Sequence, residues 1–200
     1  MKVTFWDLET SDLGGNFGRL FCGSFVDLGA DQPSTFRRDV KPWRSARRSD
    51  DSKLAVAIRE RLELADVIVG WNSILFDQPF LNARLLAAGE RPLHVGEKYA
   101  LPHVDLMYYA RGQGMRIGSS KLDTVAKFFH SAHQKTPLLP EVWAMAIEGD
   151  KEAWNDIVEH CEADVLVLQD VWEKLAPLVK KVQFTLSEVW KFLPDIEPRK

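Results

Sequence analysis

Residues 65–72 read ADVIVGWN, and this stretch decides the class of fold. Val67, Ile68 and Val69 form an almost unbroken apolar run closed by Gly70. A run with no polar face reads as a strand buried on both sides, the kind found in parallel sheets. Parallel strands need crossover connections, usually helical. Upstream, Leu54, Ile58, Leu62 and Ala65 recur at helical spacing and predict a helix over 52–65. Downstream, a helix over 78–88 ends at Gly89, and HVDLMYYA at 103–110 reads as a fifth strand. The N-terminal part is different in kind. Residues 2–9 are β-branched and aromatic, LFCGSFVDLG at 20–29 is a second strand, and STFRRDV at 34–40 is a shorter third. Gly14 and Gly15 predict a hairpin between the first two. Beyond the fifth strand come a short helix in SKLDTVAKFFH, two helices over 140–148 and 151–176, and an amphipathic segment over 183–193 before a frayed tail. The expected class is α/β, a mixed five-stranded sheet flanked by helices.

The bulk numbers narrow the setting. A chain of 200 residues, 46% hydrophobic and 28% charged, suits one soluble domain spanning 1–200. Its net charge of −3 means that any nucleic-acid contact must use local basic patches. Cys22 and Cys161 alone make neither a disulfide framework nor a zinc site, so a reducing, cytoplasmic setting is expected. The N-terminal apolar run is cut by Asp7 and Glu9, unlike a signal peptide. No stretch reaches the ~18 uncharged apolar residues of a membrane span.

Acidic residues in three separate segments carry the chemistry. In VTFWDLET, Asp7 and Glu9 are two apart on a strand and share one face with Val3 and Phe5. In GWNSILFDQPF, Asp77 follows the buried parallel strand, where binding sites of open α/β sheets gather. Asp also suits a helix N-cap, with Pro79 in the first turn. In HCEADVLVL, His160 and Asp164 are four apart on one helical face, near Ala163, Val167 and Leu168. An Asp turned inward needs a partner. Carboxylates gathered in a low-dielectric site repel one another, and a divalent cation between them removes the repulsion.

FWDLET, NSILFDQPFL and HCEADVLVL, in this order, resemble the three motifs of the DEDD (DnaQ-like) 3′–5′ exonucleases. The resemblance is nearest to the proofreading exonuclease domains of family B DNA polymerases, whose second motif, Asn-x3-Phe-Asp, is matched by Asn72, Phe76 and Asp77. KLDTVAKFF at 121–129 also looks like theirs, and the likeness runs from about 2 to about 175, leaving 183–200 as a C-terminal extension. It implies a ribonuclease H-like fold. It also implies two divalent cations, Mg²⁺ or Mn²⁺, held by Asp7, Glu9, Asp77 and Asp164, and release of nucleoside 5′-monophosphates. His160 would take the proton of the attacking water. One departure stands out: the polymerase-type third motif is Tyr-x3-Asp and the other branch uses His-x4-Asp, whereas this chain has His160-x3-Asp164. Other readings stay open: a catalytically impaired nucleic-acid-binding or polymerase-accessory module, a structure-selective endonuclease, or an unrelated structural protein.

Two basic stretches are candidates for the strand. RRDVKPWRSARR carries Arg37, Arg38, Lys41, Arg44, Arg47 and Arg48 against Asp39. RGQGMRIGSSK carries Arg111, Arg116 and Lys121 among glycines. Both leave the inferred sheet at the edge that carries the acids. Thr10, Leu13, Asn72, Phe76, Arg116 and Lys121 are the expected contacts to nucleic acid, with Trp43 as a further aromatic candidate and Trp6 read as core before base contact. The expected substrate is a single-stranded 3′ end, DNA before RNA. A DNA polymerase or another replication or repair protein is the expected partner, and the expected state is a monomer.

Overall fold

The computed structural model describes residues 1–47, 49–94, 101–112 and 115–179. Five strands form one sheet: β1 Val3–Thr10, β2 Leu20–Asp27, β3 Ser34–Arg37, β4 Val67–Gly70 and β5 His103–Asp105. Their order across the sheet is β3-β2-β1-β4-β5. β2 is antiparallel to both β1 and β3, while β4 is parallel to β1 and to β5. So β1, β3, β4 and β5 all run one way, and their C-terminal ends share one sheet edge.

The helices are α1 Ser52–Leu62, α2 Asp77–Ala87, α3 Leu106–Arg111, α4 Leu122–Phe129, α5 Pro140–Glu148 and α6 Lys151–Leu175. Alternation along β1 divides the core. Val3 and Phe5 point to a layer with Val165, Leu168 and Val171 of α6 and Val125 of α4. Trp6 and Leu8 point the other way, to Leu54 and Ile58 of α1 and Leu81 and Leu85 of α2. A third apolar group seats Trp154 and Ile157 of α6 on Phe21 of β2, with the Phe21 and Trp154 rings edge-on at 4.9 Å. α6 begins at Asp150, whose side chain accepts from the N–H groups of Glu152 and Ala153 as an N-cap does.

The mixed five-stranded α/β architecture agrees with the sequence reading, with four local differences, one being that the helix expected over 52–65 ends at Leu62. The expected strand 103–110 stops at Asp105, and Leu106–Arg111 is helical. The Asp105 carboxylate accepts from Met107 N and starts α3 there. A short apolar run cannot by itself tell strand from helix. The third strand ends at Arg37 rather than at 40, because the chain turns and Arg38 N donates back to Phe21 O. The second strand ends at Asp27, before the positive φ of Gly29. The segment 183–193, and the extension 183–200 as a whole, lie outside the described residues. Among those described, no helix is long and apolar enough to cross a membrane.

Candidate active site

β1 carries Asp7 and Glu9 to the sheet edge on the face that α6 covers, where the Phe5 and Trp172 rings meet edge-on at 6.0 Å. The same helix brings His160, Cys161 and Asp164 over them. The Cys161 thiol donates to Asp7, 3.5 Å to its carbonyl and 3.6 Å to its Oδ2. His160 Nε2 stands 3.7 Å from Glu9 Oε1, and Thr136 Oγ1 lies 3.3 Å from its Nδ1. Asp77 arrives from the opposite layer as the first residue of α2. It does not cap that helix: its Oδ1 accepts from Leu8 N of β1 at 3.2 Å. The loop before it is fixed from β5, where Asp105 accepts from Asn72 N at 2.9 Å and Ile74 N at 3.2 Å. Asn72 has φ +58°, a left-handed conformation that Asn tolerates better than most residues. The four carboxylates and His160 therefore share one edge, drawn from β1, α2 and α6.

Their electrostatics are costly. Burial, followed by the Asp164 charge, pushes Asp7 up to about 7. Burial also raises Glu9 well above the carboxylate range, with Asp7 and Asp164 adding to it. Asp77 is raised the same way, by burial first and Asp7 second. Among the described residues one cation pairs with this group, and it is a residue the motif reading missed: the Lys135 ammonium lies on Asp164 Oδ2. Burial opposes the Lys135 charge, but Asp164, Asp7 and Glu9 outweigh it and hold its pKa above the usual value. Trp143 of α5, also missed, hydrogen-bonds to Glu9. Burial lowers the His160 pKa, so its ring is neutral near pH 7 and able to accept a proton.

Among the described residues, no three Asp, Glu, His or Cys side chains are gathered as a ready-made metal cage. Lys135 occupies the place of a counter-cation instead. The donor set still fits a hard divalent ion. It is made of carboxylate oxygens, and the buried Asp164 Oδ1 has no hydrogen-bond partner.

The acids open into a cavity of about 980 Å³. Thr10, Leu13, Asn72, Phe76 and Lys121 line it, as does Arg111; Arg116 does not. Leu13 is 84% exposed at its mouth. The 37–47 stretch stays out of the cavity. Arg37 pairs with Asp39 and donates to Asn155, and Arg38 lies over the rings of Phe21 and Trp154. Trp6 is fully buried core and Trp43 stacks on Phe36 at 4.5 Å, so neither reaches the cavity. Lys135 and Trp143 sit in HQKTPLLPEVW, where no periodicity points to a site; only the fold brings them to the acids.

No curated protein matches the sequence. The fold is similar to the solved structure of the family B DNA polymerase from the hyperthermophilic archaeon Pyrobaculum calidifontis. The TM-score is 0.68 at 21% identity, over 88% of this chain and 24% of that one. The chain thus spans about a quarter of that polymerase's length, and the likeness is one of fold. A family model of the RNase_H superfamily matches residues 4–176, nearly the whole of the sheet and its covering helices, and the chain belongs to that superfamily.

Proposed function

We propose that the protein is a DEDD-type 3′–5′ exonuclease, a single domain over 1–200 that hydrolyses the terminal phosphodiester of single-stranded nucleic acid, DNA in preference to RNA. One observation carries the reading: Asp7, Glu9, Asp77 and Asp164 come from three distant segments to one sheet edge, beside a neutral His160, in a cavity wide enough for a strand end. Two divalent cations, Mg²⁺ or Mn²⁺, held by those four carboxylates would neutralise the phosphate charge and activate the water. His160 takes the proton of the attacking water at Nε2, while Thr136 holds the other ring nitrogen. The water oxygen bonds to phosphorus and the P–O3′ bond breaks; the shortened strand's O3′ leaves and takes a proton from solvent, and a nucleoside 5′-monophosphate is released. Asn72, Phe76, Leu13 and Lys121 hold the terminal nucleotides. Lys135 stays on Asp164 Oδ2 and adds positive charge beside the phosphate. The domain acts as a monomer, and a polymerase or another replication or repair protein is the partner it would serve.

A gel time course tests this with 5′-labelled DNA and RNA, linear and circular, in Mn²⁺, Mg²⁺ or EDTA. Linear strands should shorten from the 3′ end only with metal, and Asp7→Ala and Asp164→Ala should abolish the ladder. The position of Lys135 supports one second reading, a binding or polymerase-accessory module in which the lysine permanently replaces the metal. That reading requires binding without turnover at every metal concentration. Cleavage of circles would instead favour an endonuclease.

A further inference from the structure

The basic stretch that stays out of the cavity still leaves the sheet beside it. Glu9 of β1 pairs with Cys22 of β2, and Cys22 pairs with Arg37 of β3, in one row across the sheet. Strands lie about 4.8 Å apart, so Arg37 stands roughly 10 Å from Glu9. From there the chain crosses the sheet edge toward α1. It is fixed to the β1–β2 hairpin, where Arg19 Nε donates to Ser49 O at 2.6 Å and Leu20 N donates to Asp51 Oδ2 at 2.9 Å. The carboxylates here are spent. Asp39 is held by Arg37, Asp51 by Arg84, and Asp50 accepts from Ser52 N. Lys41, Arg44 and Arg47 are exposed, and among the described residues they form no ion pair. In a chain of net charge −3, three unpaired cations on one pinned loop are a local concentration of positive charge.

We infer that Lys41, Arg44 and Arg47 form a second binding surface, which takes the phosphate backbone of the strand several nucleotides upstream of the 3′ end seated in the cavity. This rests on the exonuclease reading for the direction of the strand, but not for the contact itself. Phosphate neutralisation at such a surface needs no base readout, so the binding is independent of sequence and dependent on salt. The hairpin with exposed Leu13 lies between cavity and loop, so a short strand reaches one and a long strand both.

The test is fluorescence anisotropy with 5′-fluorescein oligothymidylates of about 4 and about 16 nucleotides, the range over which single-strand sites fall. Metal is withheld with EDTA, so that binding is read apart from cleavage, over a series of KCl concentrations. The wild type should bind the long strand at least about ten-fold more tightly than the short one. Its salt slope for the long strand should be steeper by about 2, from three phosphate contacts at ~0.7 each. The K41A/R44A/R47A variant should lose both differences, and K41R/R44K/R47K, which keeps the charges, should retain them. The inference is overturned if the wild type shows no length dependence, or if the alanine variant keeps the wild-type slope; the latter would turn the loop toward an acidic protein. Cleavage with Mn²⁺ is scored separately. Length-dependent binding without turnover counts against the exonuclease reading and leaves this surface standing.

Discussion

Asp7 is half-buried, enclosed by the Asp164 charge and the Cys161 thiol, so its ionised form is disfavoured in the fold and unrestrained in the unfolded chain. Its folded pKa of about 7 lies above the ordinary 3.8. The folded state thus holds a proton that the unfolded state releases. The stability this contributes is complete below about pH 4 and is lost as pH rises to about 7. Asp7→Asn keeps the shape and removes the ionisation. Without metal, that variant should match the wild type near pH 4 and exceed it above pH 7, by on the order of a few kcal/mol. Thermal melts across pH in EDTA check this; parallel curves would mean that Asp7 is not strained. His160 is the complementary case, a half-buried but neutral base. His160→Ala should slow cleavage by ~10²–10⁴ while metal binding persists, and near-wild-type turnover would remove its role as base. The spacing of the acids was legible in the sequence because each has a local signal: two apart on a strand, the start of a helix, four apart on a helix. Lys135 was not, because its pairing with Asp164 spans 29 residues and depends on the irregular segment between α4 and α5.

At the level of elements, the connection from β4 to α2 does the most to place the site. Gly70 ends β4 against Ser73: a Cβ there would lie 2.1 Å from Ser73 Oγ and 2.4 Å from its Cβ. Ser73 cannot turn away freely, since its hydroxyl is hydrogen-bonded at 2.8 Å to the buried His103 ring. Gly70→Ala should therefore push the 71–76 loop, and with it Asp77, away from β1. The overpacking should cost ~1–3 kcal/mol, or roughly 2–4 °C in Tm per kcal/mol for a chain of this size. Cleavage should fall beyond what the stability loss explains. Differential scanning fluorimetry with single-turnover cleavage checks it, and unchanged cleavage would mean that the loop accommodates the methyl. The same region marks where element reading ran out. ADVIVGWN announced a buried parallel strand through composition alone. HVDLMYYA did not announce its break at Asp105, because that carboxylate serves two loops at once, accepting from Asn72 and Ile74 as well as Met107. Only the neighbouring strand makes that arrangement visible.

Across the whole molecule, the candidate ligands lie at positions 7, 9, 77 and 164, so only the complete fold holds them together. The unfolded chain scatters them. A divalent ion bound by the folded state alone then stabilises all of it, by RT ln(1 + [L]/Kd). At about 100 times Kd this is about 2.7 kcal/mol, and with roughly 2–4 °C per kcal/mol the melting temperature should rise by roughly 5–10 °C. The effect should be large here because the metal relieves strain already present. Asp7, Glu9 and Asp77 are each held above their ordinary pKa by burial, and Lys135 is the cation that the described residues bring among them. Mn²⁺ titrations followed by thermal unfolding read this directly, with EDTA reversing the shift. Asp7→Asn and Asp164→Ala should each flatten the titration. Asp66→Asn, an acid paired at the N-terminus far from the cavity, should leave it intact. A melting temperature indifferent to Mn²⁺ in the wild type would count against a metal site, and would favour the reading in which Lys135 holds the acids for good.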